Sequence, residues 1–149
     1  MAKVKLYQRG GFKKSHDQLL DFTHRAGLSL MSARRWNGLT IKLQFRTTDL
    51  GSAWAKCLIK TNGSKLQKEF TIFVDKRLPT RFQKKCILHE LVHVNQVVSG
   101  RYQIRWWKSD DQLHVRWNKK DYGLLKEVEY FDMPWEIEAH ELEKNWKEV

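Results

Sequence analysis

His89-Glu90-Leu91-Val92-His93 sets two imidazoles four residues apart with a carboxylate beside the first. On a helix, side chains at i and i+4 stand one above the other on one face, about 6 Å apart. Both rings then reach a single zinc ion, and Glu90 can serve water at that ion as general base. Catalytic zinc usually takes three protein ligands and keeps a fourth position open. A third ligand is therefore sought downstream, where His114, Glu136, Glu138, His140 and Glu141 are the candidates. Pro134-Trp135-Glu136-Ile137-Glu138-Ala139-His140 concentrates most of them. On a helix Glu138 is turned about 200° from Glu136, so only one of the two faces a metal. His140 shares the Glu136 face one turn later, and Ala139 is small enough to let two helices approach closely.

These residues need two helices and something to hold them. The spacing predicts a helix over residues 81–98, with Thr80 and Gln83 as a capping box and Gly100 at its C-terminus. Its centre, Cys86 to Val94, is apolar apart from His89, Glu90 and His93, and three titratable groups in such a run are costly to bury without a use. A last helix is expected from about Asp132 or Met133 to Trp146, with Pro134 in its first turn and Trp135, Ala139, Leu142 and Trp146 as its packing stripe. Ahead of the motif, Leu39, Ile41, Leu43 and Phe45 alternate with polar residues, as a half-buried strand does. Ala53 to Ile59 and Phe70 to Val74 read as two more strands, the second pair joined at Asn62-Gly63, so a three-stranded, mainly antiparallel meander is expected. Val4 and Leu6 suggest an edge strand or arm. Ser15 caps a first helix with Leu19, Leu20, Phe22 and Ala26 on its apolar stripe; Gly27 is one candidate end, and the apolar pattern resumes beyond it through Leu28, Leu30 and Met31. Between the motif segments, Tyr102, Ile104 and Trp106 are expected to pair with Leu113, Val115 and Trp117 in a β-hairpin.

The chain of 149 residues is expected to form one domain, 1–149, of α+β class. No apolar window is long enough for a transmembrane helix, and no apolar leader follows Met1, so a cytoplasmic protein is expected. Cys57 and Cys86 are too few for a disulfide framework and read as small core residues. The net charge of +11 is uneven: residues 1–88 hold 19 Lys and Arg against 5 Asp and Glu, and residues 89–149 hold 9 against 12. A basic N-terminal half favours nucleic acid or an acidic protein as partner, or simply gives a solvated surface.

The two motif segments together resemble the gluzincin class of zinc peptidases, and within it the minimal bacterial and phage forms called minigluzincins. In that class the third ligand is a glutamate on a second helix, often within Glu-x-x-Ala, which Glu136 to Ala139 match. Pro134 to Ala139, and Gln96 following the histidine motif, also resemble small phage-encoded metallopeptidases loosely related to SprT-like domains. The resemblance spans roughly residues 39–146. It implies Zn2+ as cofactor, His89, His93 and Glu136 as ligands, Glu90 as catalytic base and a host-cytoplasmic location if phage-encoded. His140 departs from the pattern, which has an acidic or amide residue there; orienting a metal-bound histidine, replacing a ligand and binding a substrate oxygen are all open to it. SprT-like domains proper complete their site with a third histidine, which only His114 or His140 could supply here.

The expected function is a monomeric zinc peptidase acting on protein or peptide. Its alternatives are a nucleic-acid-associated zinc module or DNA-dependent protease, and a non-catalytic phage structural or assembly protein. Tyr122, Tyr130 and His114 are weaker candidates for oxyanion contacts. Trp106, Trp107, Trp117 and Trp135 suit either a substrate cleft or a core, and His16 and His24 suit a packed or solvated surface.

Overall fold

The computed structural model describes residues 2–7, 13–46, 57–60, 65–124 and 133–146. In chain order these form β1 (Lys3–Tyr7), α1 (Lys13–Leu30), α2 (Ala33–Asn37), β2 (Thr40–Arg46), β3 (Cys57–Lys60), β4 (Glu69–Asp75), α3 (Thr80–Val98), β5 (Tyr102–Trp107), β6 (Gln112–Trp117), β7 (Lys120–Leu124) and α4 (Pro134–Asn145). The architecture is mixed α+β, with one sheet before the histidine helix and one after it. Among the described residues no helix is long and apolar enough to cross a membrane.

The first sheet corrects the expected meander. Its order is β1-β2-β4-β3, with β1, β2 and β4 parallel and only β3 antiparallel. The expected β3–β4 neighbours do pair antiparallel, but β2 bypasses β3 and pairs with β4. The register gives the physical reason. Ile41, Leu43 and Phe45 lie beside Phe70, Ile72 and Val74, which joins the two most apolar strand faces at the sheet centre. The four-residue β3 is left at the edge, where a short strand does least harm. Gly51, Ala53, Ala55 and the Asn62-Gly63 turn signal lie outside the described residues.

α1 and α3 cover the apolar face of this sheet. Leu19, Phe22 and Ala26 of α1 meet Ile87, Leu91 and Val94 of α3 in the main core, together with the strand residues and Trp36. α1 does not stop at Gly27. It continues to Leu30 because Gly27 is where Trp36 of α2 presses in: a Cβ there would lie 2.5 Å from the indole ring. α2 itself was not legible from periodicity. It is one short turn, N-capped by Ser32, whose hydroxyl accepts from the Arg35 amide.

α3 starts one residue before its expected first residue. Thr80 is already helical and Pro79 occupies the N-cap with no side-chain cap bond, so Thr80 is not the capping residue that the spacing predicts, and Gln83 is buried. At the far end Gly100 adopts φ +77°, as the expected C-terminal glycine, and its amide donates to the Val97 carbonyl.

The hairpin forms in the expected register, Tyr102 opposite Trp117, Ile104 opposite Val115 and Trp106 opposite Leu113. β7 extends it to a third antiparallel strand. One face of this sheet packs Val115 and Trp117 onto Trp135 of α4 in a second, smaller core. α4 is thus anchored at its start by Trp135. Just past its end, Trp146 lies edge-on to Phe22 of α1 at 6.2 Å. Ala139 is fully buried where α3 and α4 meet, while Leu142, placed on the packing stripe by spacing, is 40% exposed.

Candidate metal centre

His89 and His93 occupy the middle of α3, on the side facing α4. Burial of Leu88, Leu91, Val92 and Val94 fixes the rotation of the helix, which leaves the two imidazoles and Glu90 at the α3–α4 seam. Glu136 enters that seam from the first turn of α4. Its carboxylate spans both rings: Oε2 lies 3.1 Å from His89 Nε2 and Oε1 lies 2.9 Å from His93 Nε2. The two Nε2 atoms are 3.3 Å apart.

This triangle fits a metal. Zinc bonds to nitrogen and oxygen of about 2.0–2.1 Å at tetrahedral angles put donor atoms about 3.3–3.4 Å apart. The three donors already stand close to that spacing, on two rigid helices. Their chemistry, two imidazoles and a carboxylate, is the donor set of a three-ligand catalytic zinc site. Among the described residues, the groups of three donors within 4.8 Å of one another are His89, His93 and Glu136, and His89, His140 and Glu143. His16, His24, Cys86 and His114 join neither.

The surroundings fix which nitrogen each ring offers. His89 Nδ1–H donates to Glu143 Oε2 at 3.1 Å, and His93 Nδ1–H donates to Gln96 Oε1 at 2.8 Å. Both bonds leave Nε2 for the centre. Gln96 is itself fixed, because its amide donates to the Trp135 carbonyl at 2.9 Å and to Glu138 at 3.2 Å. Glu138 also receives both terminal nitrogens of Arg101, at 2.7 and 2.8 Å. It thereby faces away from the metal centre, as its angular separation from Glu136 requires.

Gln96 and Glu143 are the supporting residues that motif spacing did not assign. Glu143 follows Glu136 by seven residues, two helical turns, and that periodicity was the available signal. His140 lies beside the bond between Glu143 and His89. Its side chain is 54% exposed, its ring lies 4.7 Å from that of His89, and its Nδ1 is 3.8 Å from Glu143. Replacing Glu143 by Gln removes a charged acceptor from His89. It is expected to weaken zinc binding by about 10–100-fold, the usual cost of losing such an outer partner, while helical content is retained. Competition titration against a chromophoric chelator measures this.

The electrostatics are those of a site built to exchange protons for a cation. Burial alone would push both imidazoles down. The carboxylates outweigh it: bonds to Glu136 and Glu143 hold His89 up to about 10, and Glu136 raises His93 as well. At neutral pH the metal-free site therefore holds protons that zinc must displace. Apparent zinc affinity is expected to rise with pH across the neutral range, with proton release on zinc binding near pH 7. Calorimetry in buffers of different ionisation enthalpy reads this directly, and a pH-independent affinity contradicts it. Glu90 is 6% exposed, and burial, only partly opposed by the two histidines, pushes its carboxyl up to about 7. That value suits a group that must both take and give a proton near neutrality.

The aromatic candidates separate cleanly. Trp117 and Trp135 are core residues, 5% and 4% exposed. Trp106 is 56% exposed and donates its indole N–H to Asp111 at 2.8 Å. The side chain of Trp107 and the whole of Tyr130 lie outside what is described. Tyr122 packs edge-on to Trp135 at 5.9 Å. His114 is buried in the second sheet, with Nε2 2.7 Å from Asp110. Tyr102, which spacing assigned only to strand pairing, packs on Trp135 at 5.3 Å; burial and the Glu136 charge push its hydroxyl up to about 12. It therefore stays a proton donor at any working pH. Comparison with family models, with curated proteins and with solved structures found no match to this chain.

Proposed function

We propose that this protein is a zinc-dependent peptidase of gluzincin type, with His89, His93 and Glu136 holding the ion and Glu90 acting as general base. The observation that carries this reading is the convergence of two Nε2 atoms and one carboxylate at 2.9–3.3 Å, beside a buried glutamate with a pKa near 7. Bound there, zinc supplies Lewis acidity: it polarises a peptide carbonyl and acidifies water. Glu90 takes the proton of the attacking water and passes it to the leaving amine. Its burial keeps bulk water from competing for that proton. Glu143 and Gln96 hold the two imidazoles in the tautomer the site needs. A structural zinc would be closed by a fourth protein ligand. Glu143 is engaged elsewhere, its Oε2 3.1 Å from His89 Nδ1, the nitrogen that does not face Glu136.

Removal and return of the metal test the proposal. Casein cleavage by the purified protein is expected to fall to background after dialysis against a chelator. One equivalent of zinc is expected to restore it, and magnesium is not. Cleavage that survives complete zinc removal contradicts the proposal.

A further inference from the structure

The second sheet turns one face to Trp135 and the other outward, and the two arginines of the outward face, Arg105 and Arg116, form no ion pair with a described residue. Across it Arg105 stands opposite His114, and Gln103 stands opposite Arg116. A depression of about 290 Å³ lies where this face meets the C-terminal end of α3. Lys65, Arg105, Arg116 and Lys119 line it, with Gln103 and Ser99, and no described carboxylate does. An adjoining depression of about 210 Å³ shares Arg105, Arg116 and Lys119 and adds His114 and Asp121. Asp121 is otherwise engaged: its Oδ1 accepts the Gly123 amide at 2.8 Å and lies 3.9 Å from His114 Nδ1.

Four cations elsewhere in the fold are matched by acids. Arg77 binds Asp75, Arg101 binds Glu138, Arg25 binds Asp21 and Lys42 binds Glu69. Lys65, Arg105, Arg116 and Lys119 form no ion pair with a described residue. Four like charges around one concavity repel each other, and an anionic ligand relieves that repulsion. Arg105 is partly pre-set, since its Nε donates to Gln103 Oε1 at 3.2 Å and leaves the end of the guanidinium fork for a ligand. Such forks match phosphate oxygens in pairs. Two lobes joined by three shared cations suit successive phosphates of a strand better than a single small anion.

We propose that this groove binds the phosphate backbone of a single-stranded nucleic acid. The sequence placed nucleic-acid contact in the basic N-terminal half, yet of these four cations only Lys65 comes from it. The groove is independent of the peptidase reading, and its test measures binding rather than cleavage.

The test is fluorescence anisotropy of a labelled 12-nucleotide DNA strand with the full-length protein, titrated with salt. Binding is expected, with a log–log salt slope of about −3 for four neutralised phosphates. The double variant R105Q/R116Q is expected to weaken binding on the order of tenfold or more. R34Q/R35Q removes the same charge from α2 and is expected to change affinity less than about threefold. Lys119→Glu, at an exposed turn, repeats the test should the first double variant fail to fold. Three results would overturn the proposal: no binding by the wild-type protein, equal loss in the two double variants, or equal displacement of the strand by a glutamate peptide of matched charge.

Discussion

Glu90→Gln is expected to abolish proteolysis while leaving zinc content and fold intact. The amide matches the carboxylate in size, so the packing of α3 at the α3–α4 seam survives. It cannot accept a proton, however, and general-base catalysis commonly contributes about 10²–10⁴-fold. Burial disfavours the Glu90 carboxylate and raises its pKa to about 7, so exchanging it for a neutral amide of equal size relieves a desolvation cost and no large loss of stability is expected. Steady-state cleavage of a quenched fluorescent peptide, alongside zinc analysis of the same sample, measures both halves. Unchanged turnover refutes the role of Glu90 as base. Loss of the zinc together with the activity would instead make Glu90 part of the metal's support.

The second large effect separates two residues one helical turn apart. Glu136→Ala is expected to reduce zinc affinity by more than about 100-fold, and His140→Ala by about tenfold or less. Glu136 faces both Nε2 atoms from within the seam, and its position in the first turn of α4 favours an ionised carboxylate there. His140 meets the ring of His89 and stands near Glu143. Its loss loosens the orientation of His89 without deleting a donor. Parallel titrations of the two variants decide the matter. Equal effects, or the reverse order, would transfer the third ligand to His140.

The parts of this molecule legible in its sequence are those with a strong local period. The i, i+4 spacing of His89 and His93, the Glu136–Ala139 turn and the alternation in β2 each specify a face without knowledge of the rest of the chain. The β5–β6 register was legible for the same reason, since Ile104 and Val115 must share the face that meets Trp135. What was not legible depends on contacts between distant segments. The parallel pairing of β2 with β4 is chosen by matching Ile41, Leu43 and Phe45 against Phe70, Ile72 and Val74 across more than twenty intervening residues. Local turn signals say nothing of that choice. Gly27 left the end of α1 open, because only the position of Trp36 reveals it as a packing notch. Leu142 looked like core because spacing gives a helix face but not how far along the helix its neighbour extends. At the candidate metal centre the donor residues were visible, but their tautomers were not: Glu143 reaches His89, and Gln96 is fixed by the Trp135 carbonyl, only once α3 and α4 meet.

The central claim is that one zinc sits between His89, His93 and Glu136 with a position left for substrate chemistry. Diffraction from crystals of the zinc-loaded protein, recorded on both sides of the zinc absorption edge, tests it most directly. A single anomalous peak is expected within bonding distance of His89 Nε2, His93 Nε2 and a Glu136 carboxylate oxygen, with no fourth protein ligand. A peak elsewhere, or one closed by a fourth side chain, would contradict the account.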